Sequence, residues 1–104
     1  MKGFVPTPSS TVDSMVQLLF GNQPPCRADR VLDPGSGTGA FVEGILRWCS
    51  MNQRPVPRIT AVDSDPAHIA VLQRKFGNNP NVEIRGEDFL TGERRTYEYV
   101  VGNP

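Results

Sequence analysis

The stretch Arg30-Val31-Leu32-Asp33-Pro34-Gly35-Ser36-Gly37-Thr38-Gly39-Ala40-Phe41 decides the architecture of this chain. Arg30 to Asp33 reads as a short strand. Pro34-Gly35 stops it, because proline brings no N–H to a ladder and glycine favours a turn. From Thr38 a helix is predicted. Phe41, Ile45 and Cys49 form one ridge along it, with Val42 and Leu46 beside them. Strand, glycine turn and helix together open a βαβ unit, and the same alternation returns downstream. Residues 59–63 read as a second strand. Asp65-Pro66 starts a third helix, with Asp as the cap and Pro at the first helical position. Its apolar face is Ile69, Leu72 and Phe76, and Gly77 to Pro80 end it. Residues 81–85 alternate like a half-buried strand. A polar loop around Phe89-Leu90 leads to a fourth strand over 97–101. Upstream, Pro6 to Ser10 is an extended lead-in that ends in helix-capping residues. Val12, Met15, Val16, Leu19 and Phe20 then fall on one helical face. Strands alternating with helices of ten or more residues imply an α/β fold with a parallel sheet and right-handed crossovers.

The chain has 104 residues, with 11 Lys+Arg against 11 Asp+Glu. One domain, residues 1–104, is the most that this length allows. Within it, 1–25 form an N-terminal segment and helix, and 26–104 the β-α-β-α-β-β core. Folding at this size hides only about 60–65% of the extended chain's surface, so the core is modest. No apolar run reaches the ~18–20 residues of a membrane span. The N-terminus lacks the apolar core of a secretory signal. Cys26 and Cys49 neither staple a secreted fold nor show metal-site spacing, so no metal is expected and a reducing cytoplasm is. Zero net charge argues against wrapping nucleic acid by electrostatics alone.

Each predicted strand ends in, or is followed by, a polar residue: Asp33, Asp63, the pair Glu87-Asp88, and Asn103. Ligands of an open parallel sheet sit outside the carboxyl ends of its strands, so these residues are expected on one rim. Gly35, Gly37 and Ala40 satisfy the dinucleotide pattern G-x-G-x-x-[GA], a match that a glycine turn made only for packing would share. Asp33 discriminates. A pyrophosphate beside it would meet repulsion of about 4 kcal/mol per charge pair at ~4 Å and an effective dielectric near 20. A cationic ligand would gain from the same field. S-adenosylmethionine carries an ammonium and a sulfonium and no phosphate. Asp63 suits ribose hydroxyls, each charge-assisted hydrogen bond being worth roughly 1.5–3 kcal/mol.

The motif Asp33-Pro34-Gly35-Ser36-Gly37-Thr38-Gly39-Ala40-Phe41 resembles the cofactor motif D-P-x-x-G-x-G-x-F of S-adenosylmethionine-dependent amino-methyltransferases acting on DNA adenine. Other segments fall in the order of the gamma-type arrangement of that family. Phe4-Val5-Pro6-Thr7-Pro8 resembles its N-terminal cofactor motif. Ala61-Val62-Asp63-Ser64-Asp65-Pro66 resembles its ribose motif, and Glu87-Asp88-Phe89-Leu90 its adenine motif. Val100-Val101-Gly102-Asn103-Pro104 resembles the start of its catalytic motif N-P-P-[YF]. The resemblance implies the Rossmann-like parallel sheet of a class I methyltransferase, with S-adenosylmethionine as cofactor. It implies that Thr7 binds the methionine end, and that Asp33 and the backbone of Gly35 and Gly37 hold the methionine part. Asp63 would take the ribose, Asp88 the cofactor's adenine amino group, and Phe89 would lie beside that ring. Asn103 and the carbonyl of Pro104 would accept hydrogen bonds from the exocyclic amine of the target base. In the family that base is flipped out of the duplex.

The chain stops at Asn103-Pro104, without the second proline and the aromatic of that motif. It is therefore expected to be a fragment of a larger enzyme, inactive or nearly so alone, with DNA bound through regions beyond it. Its exposed sheet edge is expected to invite a homo-oligomer or a complementing chain. Alternative readings are methylation of a protein glutamine or an RNA base, and a non-catalytic S-adenosylmethionine-binding module. A nicotinamide-binding domain is the least favoured. Among the other residues, His68 is expected to be solvated, Trp48 to lie at the edge of the core, and Phe41 and Cys49 to lie inside it. Tyr97 and Tyr99 are expected to pack on a helix.

Overall fold

The computed structural model describes residues 8–86, 97 and 99–101. Its elements run α1 (Ser9–Phe20), β1 (Arg30–Asp33), α2 (Ala40–Met51), β2 (Arg58–Val62), α3 (Pro66–Phe76), β3 (Val82–Arg85) and β4 (Tyr99–Val100). The strands form one sheet in the order β3-β2-β1-β4. Every pairing is parallel: β1 with β2, β2 with β3, and β1 with β4. The chain thus steps outward from β1 through β2 to β3, then returns to the other side of β1. That reversal creates a topological switch point between the carboxyl ends of β1 and β4.

One face of the sheet carries the core. Val31 of β1 and Ile59 and Ala61 of β2 pack there with Val12, Val16 and Phe20 of α1, Val42 and Ile45 of α2, and Leu72 and Phe76 of α3. Leu32 and Thr60 alternate away from that face, yet they too are buried. A parallel sheet buried on both faces explains why β1 and β2 read as near-continuous apolar runs.

Aromatic contacts tie the first helix to the last strand. The Phe20 ring lies 5.2 Å from Trp48 and 5.1 Å edge-to-face from Tyr99. Trp48 Nε1 donates to Gln17 Oε1 at 2.9 Å, and the Tyr99 hydroxyl donates to the Gln23 carbonyl at 3.0 Å. Both rings therefore bury their bodies while their polar tips find partners. Gly44 lets α1 and α2 approach closely, since a Cβ there would collide with Val12 Cγ1.

Several expectations change in detail. Ser9 and Ser10 lie inside α1, and the N-cap is Pro8, which has no side-chain capping bond. The second helix begins at Ala40 rather than Thr38, because Gly39 takes a left-handed conformation that ends the loop. The second strand runs one residue earlier than expected, so Asp63 follows it, its N–H still donating to the Arg85 carbonyl of β3 at 3.1 Å. Among the described residues the last strand covers Tyr99 and Val100, the Val101 N–H still donating to the Leu32 carbonyl at 2.8 Å, and Tyr97 lies outside it. By contrast, Asp65 caps α3 as expected, accepting from the Ala67 N–H at 2.8 Å. No helix among the described residues is long and apolar enough to cross a membrane.

Candidate functional site at the carboxyl rim of the sheet

Asp33 ends β1 with 0% of its surface accessible. The chain then turns over the strand ends. Ser36 is the hub of that turn. Its N–H donates to the Val62 carbonyl at 2.9 Å, and its carbonyl accepts from the Gly39 N–H at 3.0 Å. Its hydroxyl donates to Asp33 Oδ2 at 3.1 Å. Gly37 and Gly39 both have positive φ, at 58° and 95°. Gly39 could not be another residue without displacement, since a Cβ there would stand 2.6 Å from the Phe76 ring. The glycine run therefore serves two ends. It turns the chain back into α2 and seats the start of α2 against α3.

Asp63 follows β2 on the same rim. Its Oδ2 accepts from the Gly37 N–H at 2.8 Å, and its Oδ1 from the Asp65 N–H at 2.8 Å. His68 Nδ1 lies 3.2 Å from the same Oδ1. His68 is thus half-buried beside a carboxylate, not solvated as the sequence suggested. The reason is geometric. The first turn of α3 rises directly from the Asp63 turn, so its inward side meets that acid. Lys75, in the last turn of α3, reaches over the loop. Its ammonium donates to the Thr38 carbonyl at 2.9 Å and to Glu43 Oε1 at 2.7 Å.

The rim is electrostatically uneven. Burial pushes the Asp33 carboxyl up to about 7, and the nearby Asp63 carboxylate adds to the rise. The Ser36 hydroxyl and the Gly35 backbone N–H oppose it without cancelling it. Asp33 Oδ1 is buried and has no hydrogen-bond partner among the described residues. A buried carboxylate oxygen with nothing to accept from is costly, and it is relieved by a donor or a cation. Asp63 Oδ2 accepts only the Gly37 N–H among the described residues, so lone-pair capacity remains for a further donor. Two acids with spare acceptor capacity fit a ligand that is positively charged and rich in hydroxyls. They do not fit a pyrophosphate.

Of the residues singled out in the sequence, Asp33, Gly35, Gly37 and Asp63 meet at this rim. Thr7, Asp88, Phe89, Asn103 and Pro104 lie outside the described residues. The Val101 N–H donates to the Leu32 carbonyl at 2.8 Å, so the chain still runs alongside β1 two residues before Asn103. Sequence reasoning missed Ser36, His68 and Lys75. Ser36 had a visible signal, a hydroxyl three residues after an acid inside a glycine turn. Lys75 and His68 had none, because their partners are far away in sequence or depend on the turn of α3.

Two solved structures share the fold of this chain across 96% of its length, each at a TM-score of 0.62. One is coclaurine N-methyltransferase bound to N-methylheliamine and SAH, at 24% identity. The other is the glycopeptide N-methyltransferase MtfA complexed with sinefungin, at 12% identity. This is the class I methyltransferase fold. The chain spans 29% and 38% of the length of those two proteins. Over 62 residues, 60% of the chain, it is 37% identical to ribosomal RNA small subunit methyltransferase A of Geobacter metallireducens, and the match spans 20% of that protein. No protein-family model matches the chain.

Proposed function

We propose that this chain forms the S-adenosylmethionine site of a methyltransferase acting on the exocyclic amino group of adenine in DNA. One observation carries the cofactor part: a fully buried Asp33 with an open oxygen stands at the switch point, beside the Asp63 rim. When bound, the cofactor supplies an electrophilic methyl group on a sulfonium. Asp33 would hold the cationic amino-acid end, with the backbone of Gly35 and Gly37 and, from the N-terminal motif, Thr7. Asp63 would accept from ribose hydroxyls, oriented by its bonds from Gly37 and Asp65. Asp88 and Phe89 would take the adenine. Asn103 and the Pro104 carbonyl would accept from the target amine and leave its lone pair available. Such an amine becomes acidic only as it is alkylated, so positioning and electrostatics suffice without a strong base.

The DNA part is supported by the order of motifs, with Thr7-Pro8 upstream and Asn103-Pro104 downstream. A second reading, methylation of an RNA base, is favoured by the 37% identity to the ribosomal RNA enzyme. Calorimetry on the chain tests the first part. S-adenosylmethionine should bind in preference to NAD, and Asp63→Ala should weaken that binding about tenfold or more. Single-turnover labelling tests the second, with protein in excess over nucleic acid and a labelled methyl donor. Label on the adenine amino group of duplex DNA supports the proposal. Label confined to RNA moves the substrate to the second reading. Binding without any transfer makes the chain a cofactor-binding module.

A further inference from the structure

We infer that ligand binding at this rim expels a proton from Asp33, so that the site selects a cationic amino-acid end by exchanging one positive charge for another. The inference rests on the proposed cofactor and goes beyond it, since it concerns the free site and the residue that sets its charge selectivity.

The geometry explains why the free site should hold a proton. Asp33 is sealed from solvent, and its Oδ2 has the Ser36 hydroxyl at 3.1 Å. Its Oδ1 faces no donor among the described residues. A charge in that position is poorly solvated, and the group relieves it by protonation. The charged groups on surrounding elements do not rescue it. Asp63, after β2, is a second negative charge. His68 and Asp65 of the α3 start are turned to Asp63 and to the Ala67 N–H. Lys75 of α3 is engaged by Thr38 and by Glu43 of α2. On the described part of β4 the titratable group is Tyr99, whose hydroxyl donates to Gln23. With burial and Asp63 both acting, the acid sits at about 7, and the free protein near neutrality is a mixture of the two forms.

A cation reaching Oδ1 reverses the balance. The carboxylic O–H bond breaks, its electron pair stays on the carboxylate, and the proton passes to bulk water. Protonated Asp33 therefore competes with the ligand. With a midpoint of about 7, the association constant should rise about fivefold from pH 6 to pH 7. Through that window a free α-amino group stays protonated, so the slope belongs to the protein. Below that midpoint binding should release most of one proton per ligand, and progressively less above it.

Three measurements on the full chain test this. Carbon-13 carboxyl titration should find the Asp33 midpoint near neutrality in the free protein and well below it with saturating S-adenosylmethionine. Calorimetry at pH 6.5, in two buffers of different ionisation heat, should count the released proton. Asp33→Asn should abolish the pH slope, whatever its residual affinity. A free-protein midpoint in the ordinary carboxylate range overturns the inference, as does binding without proton release or a full slope retained in Asp33→Asn. Each of those results leaves the proposed cofactor standing. Absence of S-adenosylmethionine binding at every pH overturns the proposed cofactor and this inference with it.

Discussion

Asp33 is the residue on which the site and the stability of the fold pull in opposite directions. Its carboxyl is raised from 3.8 to about 7 on folding. The folded state therefore holds the proton more tightly than the unfolded state does. Stability from this group is fully present below pH 3.8 and is lost as pH rises through about 7. The shift corresponds to something on the order of 4 kcal/mol between the two limits. Asp33→Asn should consequently raise the stability of the ligand-free chain by up to about 4 kcal/mol at pH 8 and by less than about 1 kcal/mol at pH 4. Urea midpoints at the two pH values read the difference directly. A neutral residue would be the better choice for folding alone, so an acid at this position points to a ligand. The acid itself was legible in the sequence, because it stands at the end of an unmistakable strand. Its open oxygen was not, because that depends on which groups the folded loop leaves facing it.

At the scale of elements, the contacts that matter most join segments far apart in sequence. Gly39 is where α2 meets α3. Gly39→Ala would place a Cβ 2.6 Å from the Phe76 ring at a φ of 95°. Strain and overpacking together should cost about 2 kcal/mol, measured as a lowered chemical-denaturation midpoint. Phe20 plays the matching part at the other end of the sheet, between Trp48 of α2 and Tyr99 of β4. Phe20→Ala should cost about 3–5 kcal/mol. It should also loosen β4 selectively, seen as faster amide exchange at Val101, whose N–H is bonded to Leu32. The helices themselves were readable from spacing, since Val12, Val16 and Phe20 recur every four residues and all three are buried. The ends of the elements were less readable. A serine pair before an apolar face looks like a cap, but here Pro8 takes that place and the serines enter the first turn. Hydrogen bonds to neighbouring strands likewise decide where β2 and β4 begin and end.

For the molecule as a whole, the strand order β3-β2-β1-β4 brings the Asp33 and Asp63 turns to one rim. A ligand that contacts both turns binds the folded chain and not the unfolded one, in which the turns are apart. S-adenosylmethionine at about a hundred times its dissociation constant should therefore stabilise the chain by about 2.7 kcal/mol. For a domain of this size that is a rise of roughly 10 °C or more in melting temperature. NAD at the same concentration should leave it unmoved. A thermal melt with each ligand checks both statements.

The alternation of apolar strand, glycine turn and amphipathic helix was enough to establish a parallel α/β chain, because each of those patterns answers to local sterics and to the period of its own element. The meeting of Asp33 and Asp63 at one rim followed from the same reading, since parallel neighbours share a direction. The partners of Asp63, the seating of His68 beside it, the Lys75 clasp over the loop and the unsatisfied oxygen of Asp33 could not be found that way. Each depends on how closely two non-adjacent turns approach once the helices have packed. Side-chain charge and hydrogen bonding act over a few ångströms, and no one-dimensional pattern records such distances.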